Sequence, residues 1–248
     1  MRYLILSDLH ANLDAFEAVL GAAPSADRIL VLGDIVGYGA EPNAVIDRVR
    51  ALEPARIIRG NHDKVAAGLE MPESFNPAAL QSATWTFETL TPENRAWLSA
   101  IPPGPAEIDE TIEICHGSPE DEDEYLFSAT DAGRVFPVTT RPVCFFGHTH
   151  VALSYSSCAH FNEVELLEPD PEDDTTVIGI KARRHYLINP GAVGQPRDGD
   201  PRAAFAYFDT STQSVELRRV PYDVARAQQR IRAAGLPDVL ARRLGLGR

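Results

Sequence analysis

Three times within the first sixty residues, a short apolar run gives way to a turn and then to a new segment, and this alternation constrains the fold more than any other feature of the chain. The runs at 3–6, 29–32 and 56–58 have the length of buried strands, and Gly33 and Gly60 close the second and third. Behind the first run, Asn12 or Asp14 can cap a helix that puts Leu13, Phe16 and Leu20 on one face. Behind the second, Pro42 suits a first helical turn, and Val45, Ile46, Val49 and Leu52 form the next apolar stripe. Strands alternating with helices predict right-handed βαβ units in a parallel sheet.

Residues 72–99 break the alternation. They read as helical, with Leu80, Phe87 and Leu90 as core positions and Trp85 and Trp97 nearby, and predict a small helical cap over 72–100. Strands resume at 111–115 and 143–146. After His150 the pattern turns to short β segments at 152–156, 164–167, 185–188, 204–208 and 215–220, the last two joined as a hairpin by Asp209-Thr210-Ser211-Thr212. Closing helices are expected over 222–234 and 237–244, within a C-terminal stretch 221–248. With no repeat and no long linker, 1–248 reads as one domain.

Composition excludes several classes. At 44% hydrophobic and 24% charged, the 248 residues are neither disordered, collagenous nor coiled coil. No apolar run reaches about 18 residues, so no membrane span is expected. The opening residues turn acidic too soon for a signal peptide. Lysine and arginine number 23 against 36 acids, a net charge of −13, which repels nucleic-acid backbones and anionic membranes. A small phosphorylated ligand remains accessible if cations stand between it and the protein. The acid gathers in 107–124 and 163–174, read as solvated loops, while 218–248 is arginine-rich and read as an exposed helix; no protein partner is legible there. Cys115, Cys144 and Cys158 lack metal-ligand spacing and predict buried thiols in a reducing cytoplasm.

The chemistry gathers where the strands end. The first run ends in Ser7-Asp8-Leu9-His10, the second in Gly33-Asp34 and the third in Gly60-Asn61-His62-Asp63. The runs at 111–115 and 143–146 end in His116-Gly117 and Gly147-His148-Thr149-His150. Five of the seven histidines thus fall on these ends, leaving only His160 and His185. Ligands of α/β sheets bind outside the carboxyl ends of strands, so the five clusters are expected to converge on one crevice. Carboxylate, imidazole and amide oxygen suit manganese, iron, zinc or nickel. Two such cations about 3.5–4 Å apart can hold a bridging hydroxide and clamp a phosphoryl oxygen. The pair needs a shared carboxylate, and Asp34 in its glycine turn is the candidate.

Asp8-x-His10, Gly33-Asp34, Gly60-Asn61-His62-Asp63, His116 and Gly147-His148-Thr149-His150, in this order, resemble the calcineurin-like metallophosphoesterase family. Asn189-Pro190-Gly191-Ala192-Val193-Gly194 extends the likeness. The resemblance implies a two-sheet α/β/β/α sandwich with helices outside. It implies one metal on Asp8, His10, Asp34 and His150, and a second on Asp34, Asn61, His116 and His148. His62 matches the family's histidine that donates to the phosphate or to the leaving oxygen, with Asp63 as the residue that would orient it. Asn12, Tyr38 and Arg197 are candidate substrate contacts, against plainer roles as helix cap, packed aromatic and surface charge. The protein-phosphatase branch continues its second motif with an Asp and an Arg, whereas this chain reads Ile35-Val36-Gly37-Tyr38-Gly39. That departure points to the small bacterial and archaeal phosphodiesterase-like branch, hence to phosphodiester hydrolysis. A phosphomonoesterase is the alternative, and a non-catalytic protein-binding scaffold is disfavoured because all seven ligand positions are filled.

Overall fold

A computed structural model describes residues 1–73, 75–158 and 163–248; His160 lies outside them. The first half runs β1 (Arg2–Leu6), α1 (Leu13–Ala22), β2 (Arg28–Val31), α2 (Pro42–Arg50), β3 (Ala55–Ile57), α3 (Asn61–Ala66), α4 (Pro77–Thr89) and α5 (Pro92–Ser99). Then follow β4 (Ala106–Glu107), β5 (Ile112–Ile114), α6 (Ala129–Val135), a 3-10 turn (Phe136–Val138), β6 (Val143–Phe145), β7 (Leu153–Cys158) and β8 (Val164–Leu167). The chain closes with β9 (Thr175–Gly179), β10 (Arg184–Asn189), β11 (Ala203–Asp209), β12 (Ser214–Val220), α7 (Val224–Ala233) and α8 (Asp238–Leu244). Among the described residues no helix is long and apolar enough to cross a membrane.

The strands form two six-stranded sheets, ordered β3-β2-β1-β11-β12-β9 and β4-β5-β6-β10-β7-β8. The expected parallel pairing holds for β1 with β2 (Leu4 opposite Ile29) and β2 with β3, and again for β5 and β10 on either side of β6. Both sheets are nevertheless mixed, because β11 lies antiparallel to β1 and the β11–β12 hairpin extends that sheet. Alternation along β1 sends Tyr3 and Ile5 between the sheets, against Ile114, Phe145 and Ile188. Leu4 and Leu6 face the other way, onto Phe16 and Val19 of α1 and Val45 and Val49 of α2. Beyond the second sheet, Cys144, Phe146 and Leu187 pack under Ala132 and Val135 of α6. Helix, sheet, sheet and helix are therefore stacked as four layers, the architecture the resemblance implies.

Helix α4 corrects the sequence reading. Leu80 and Phe87 are 41% and 38% exposed, while Ala79, Ser82, Ala83 and Thr86 are buried. Small residues let this helix lie close to its neighbours, so its large side chains point outward; Leu90 is buried as expected. Cys158 is likewise exposed, unlike Cys115 and Cys144. The short elements β4, β9, α3 and α6 carry too little periodicity to be read from sequence.

Candidate metal centre

The carboxyl ends of β1, β2, β3, β5 and β6 lead into five turns that hydrogen bond to one another. Asp8 N–H donates to Gly33 carbonyl at 3.1 Å and His10 N–H to Asp34 carbonyl at 2.9 Å. Gly147 N–H donates to His116 carbonyl at 2.7 Å, and Gly194 N–H to Asp8 carbonyl at 2.9 Å. Glycine is required where these turns touch: Gly33 has φ +100°, and a Cβ at Gly60 would collide with the Asp34 carboxylate. Left-handed backbone also occurs where side chains make it costly. Asp8, His10, Asp34, Tyr38, His148 and His150 all have φ between +46° and +66°. Such strain persists only where surrounding contacts enforce it, and it concentrates at functional sites.

The turns bring together Asp8, His10, Asp34 and His150, whose ligand atoms lie within 4.8 Å of one another, and likewise Asp34, His116 and His148. Asn61 joins the second group, its Oδ1 3.3 Å from His116 Nε2. Each carboxylate has one oxygen held and one without a partner. Ser7 Oγ donates to Asp8 Oδ2 at 2.7 Å, and His62 N–H donates to Asp34 Oδ1 at 2.9 Å. Asp8 Oδ1 and Asp34 Oδ2 are buried without any hydrogen bond. They face histidine instead: Asp34 Oδ2 is 3.5 Å from Nε2 of both His10 and His116, and Asp8 Oδ1 is 3.4 Å from His150 Nε2.

The rings are aimed from behind. His10 Nδ1 meets Val36 carbonyl at 3.1 Å, His116 Nδ1 meets Leu32 carbonyl at 2.8 Å and His150 Nδ1 meets Gln195 carbonyl at 2.7 Å. A carbonyl only accepts, so Nδ1 carries a proton in each ring and Nε2 faces inward, as a lone pair on whichever rings are neutral. His148 is held through its other nitrogen, Nε2, at 3.1 Å from Asp123 carbonyl. Burial lowers the pKa of His10 and His150 well below the ordinary value and that of His148 to about 3, so these rings are neutral, the form that binds cations. Burial pushes Asp8 up to about 7. His116 behaves oppositely: burial lowers it, but the Asp34 and Asp8 carboxylates overcome that and raise it to about 10. Asp8 Oδ1 and Asp34 Oδ2, without hydrogen bonds, face the Nε2 atoms of His150, His10 and His116, a donor set that fits divalent cations, which would take the place of the proton that the carboxylates draw onto His116.

His62 stands beside the cluster, its ring 5.1 Å from His10 and 4.4 Å from Tyr38, with Nδ1 buried and unpartnered. Burial lowers its pKa to about 4. Asp63 does not orient it. Both Asp63 oxygens accept backbone N–H groups, from Gly60 at 3.0 Å and Val36 at 3.1 Å, so this carboxylate ties α3 to the second turn. Asn12 is equally committed: Oδ1 accepts from Ala15 N–H, and Nδ2 donates to Gly194 carbonyl and toward Tyr222. It caps α1 rather than facing substrate. Tyr38 packs on His10 and His62, and Arg197 lies 5.5 Å from the Tyr38 ring. Arg197 Nη2 donates to Gln195 Oε1, while its buried Nε has no partner. Asn189 escaped the sequence reading as a side chain with a task. Its Nδ2 donates to Gly147 carbonyl and Thr149 Oγ1, holding the turn that carries His148 and His150. Its place before Pro190-Gly191 was the available signal.

The profile of the calcineurin-like phosphoesterase superfamily domain matches residues 1–213. This chain belongs to that superfamily. The family is one of metal-dependent phosphoric ester hydrolases, in keeping with the Asp and His groups described above. The chain is similar to a metallophosphoesterase of Sphaerobacter thermophilus, with 42% identity, a TM-score of 0.89 and coverage of 100% of this chain and 99% of that one. An uncharacterized protein of Methanocaldococcus jannaschii is 35% identical over 98% of this chain and 97% of its own. A hypothetical protein of Pyrococcus horikoshii shares the fold at 19% identity, with a TM-score of 0.78 over 100% of this chain and 98% of that one.

Proposed function

We propose that this member of the superfamily is a dinuclear metal-dependent phosphodiesterase. The observation that carries the reading is Asp34 Oδ2, buried, unpartnered and 3.5 Å from a histidine of each ligand group. Asp8, His10, Asp34 and His150 would hold one divalent cation, and Asp34, Asn61, His116 and His148 the other, with manganese, iron, zinc and nickel all suited. Such a pair supplies, when bound, Lewis acidity toward phosphoryl oxygens and a water made nucleophilic at neutral pH. The chain's own residues orient and move protons. His62 would either donate its N–H to a phosphate oxygen or, on taking a proton from solvent water beside the anionic ester, deliver that proton to the departing oxygen. The lack of a carboxylate on His62 Nδ1 accompanies the missing Asp and Arg after Asp34, which favours a diester. One feature favours the phosphomonoesterase alternative: the unpartnered Nε of Arg197 is a free donor for a dianion. The free thiols are in keeping with a cytoplasmic location.

Metal-stripped protein, reloaded with each cation in turn, should take up two ions per chain, and Asp34→Asn should impair both. Saturation at one ion in folded protein overturns the dinuclear reading. An aryl phosphodiester should then show a higher kcat/KM than its matching monoester. A monoester preference of tenfold or more, about 1.4 kcal/mol, transfers the assignment to the alternative.

A further inference from the structure

Beside the metal cluster the surface opens into a cleft of about 240 Å³, walled by Asn61, His62 and His148 but by none of Asp8, His10 or His150. It therefore opens on the side of the second ligand group and of His62. Two of its walls are aromatic. Phe75 packs on His62, with ring centroids 4.6 Å apart, and Tyr125 packs on His148 at 3.9 Å. Tyr125 in turn stacks on Phe127 at 5.2 Å, with planes 8° apart. This outer pair is 45% and 62% exposed, far more than core aromatics are, and of the two Tyr125 lines the cleft while Phe127 backs it. The remaining polar wall is Asn76 with Glu70 and Asp123, both carboxylates ion-paired to Lys64, while neither Lys nor Arg lines the cleft among the described residues.

These walls select chemistry. Flat aromatic faces reward a planar ring more than an alkyl chain, because stacking adds to burial. With no cation lining the cleft and both carboxylates paired to Lys64, nothing there draws in a polyphosphate tail, whereas carboxylate oxygens can still accept N–H donors from a neutral heterocycle. We propose that this cleft is a nucleobase subsite, so that the ester cleaved is one of a nucleoside. This inference rests on the phosphoesterase reading above.

The test compares adenosine 5′-methylphosphate with ribose 5-methylphosphate, which differ only in the base, on metal-loaded protein. The nucleoside ester should have a kcat/KM at least about tenfold higher, mostly through KM. Tyr125→Leu and Phe75→Leu should each bring that ratio toward one, while Tyr125→Phe, which keeps the ring, should retain it; metal content is measured for every variant. Equal kcat/KM for the two esters in the parent protein overturns the subsite and leaves the phosphoesterase reading standing, as does an unchanged ratio in both leucine variants. If neither ester is cleaved, calorimetric titration with adenosine decides. Binding that Tyr125→Leu abolishes supports the subsite while the phosphodiesterase reading fails, and no binding overturns the subsite.

Discussion

At the scale of single residues, the site is a matter of which atoms are left without partners. Asp8 and Asp34 each spend one oxygen on a local hydrogen bond and keep the other for the cluster. His116, with its pKa raised to about 10, and Asp8, at about 7, bind protons near neutral pH that a cation must displace. Metal uptake should therefore release protons, and apparent affinity should rise with pH through the neutral range. Calorimetric titrations at pH 7 in two buffers of different ionisation enthalpy should give different apparent heats; identical heats would count against this. His62 makes a separate prediction. His62→Ala should keep both metals and lose roughly 10²–10⁴-fold in rate with alkyl leaving groups, but much less with an activated aryl group that departs unprotonated. An equal loss for both would make His62 a contact to the phosphate and not an acid.

At the scale of elements, the acidic stretch read as solvated loop has a structural task. Glu122 pairs with Arg59 at 3.0 Å and Lys64 at 3.2 Å, and Asp123 pairs with Lys64 at 2.8 Å. That clamp fixes the loop whose Asp123 carbonyl meets His148. Burial opposes charge on Glu122, but Arg59 and Lys64 more than offset it and hold its pKa below the usual range. A depressed folded pKa stabilises above the unfolded value of about 4.3, and the contribution is lost as pH falls through the folded value. Arg59→Ala should accordingly cost about 1 kcal/mol at pH 7 and progressively less below about pH 4. Denaturant midpoints at the two pH values measure this, and a pH-independent cost would refute the ion-pair account. Helix α4 shows how its environment reversed an expected face. Its small residues were needed inward, so Leu80 and Phe87 were displaced to the surface although their hydrophobicity pointed to the core.

At the scale of the whole molecule, the two sheets bring strand ends from 8 to 150 in sequence to one edge, and the C-terminal helices brace them. Helices α7 and α8 keep the exposed arginine-rich face expected from composition, with Arg226, Arg232 and Arg242 exposed, but their other face is docked on the domain. Arg226 and Arg230 pair with Asp14 on α1, and Ile231, Leu240 and Leu244 pack in a cluster that includes Tyr38 and Ala79. These helices lie beyond the residues matched by the superfamily profile, yet their cluster supports a ring that touches His10 and His62. Leu240→Ala, at a fully buried position, should destabilise the protein by about 2–5 kcal/mol. Thermal or denaturant unfolding checks it, and a loss below about 1 kcal/mol would show that α8 is only loosely docked.

The sequence by itself determined the strand-and-helix alternation and the residues brought to the strand ends. Both are local signals: a period of 2 or 3.6, a glycine turn, and a polar residue immediately after an apolar run. From these, the strand-end clusters holding Asp8, His10, Asp34, Asn61, His62, Asp63, His116, His148 and His150 could be singled out; the family resemblance implied which seven are ligands, and the structure gathers those seven. Only the tertiary structure decided that Asp63 holds backbone instead of His62, that Asn12 caps α1, and that Leu32, Val36 and Gln195 carbonyls aim the rings. It alone put Phe75 and Tyr125, fifty positions apart, into one cleft. Carbonyls occur at every residue and carry no side-chain signature, and the partner of a buried carboxylate depends on which distant turn packs against it. Such choices are made by packing between segments, and no local pattern records them.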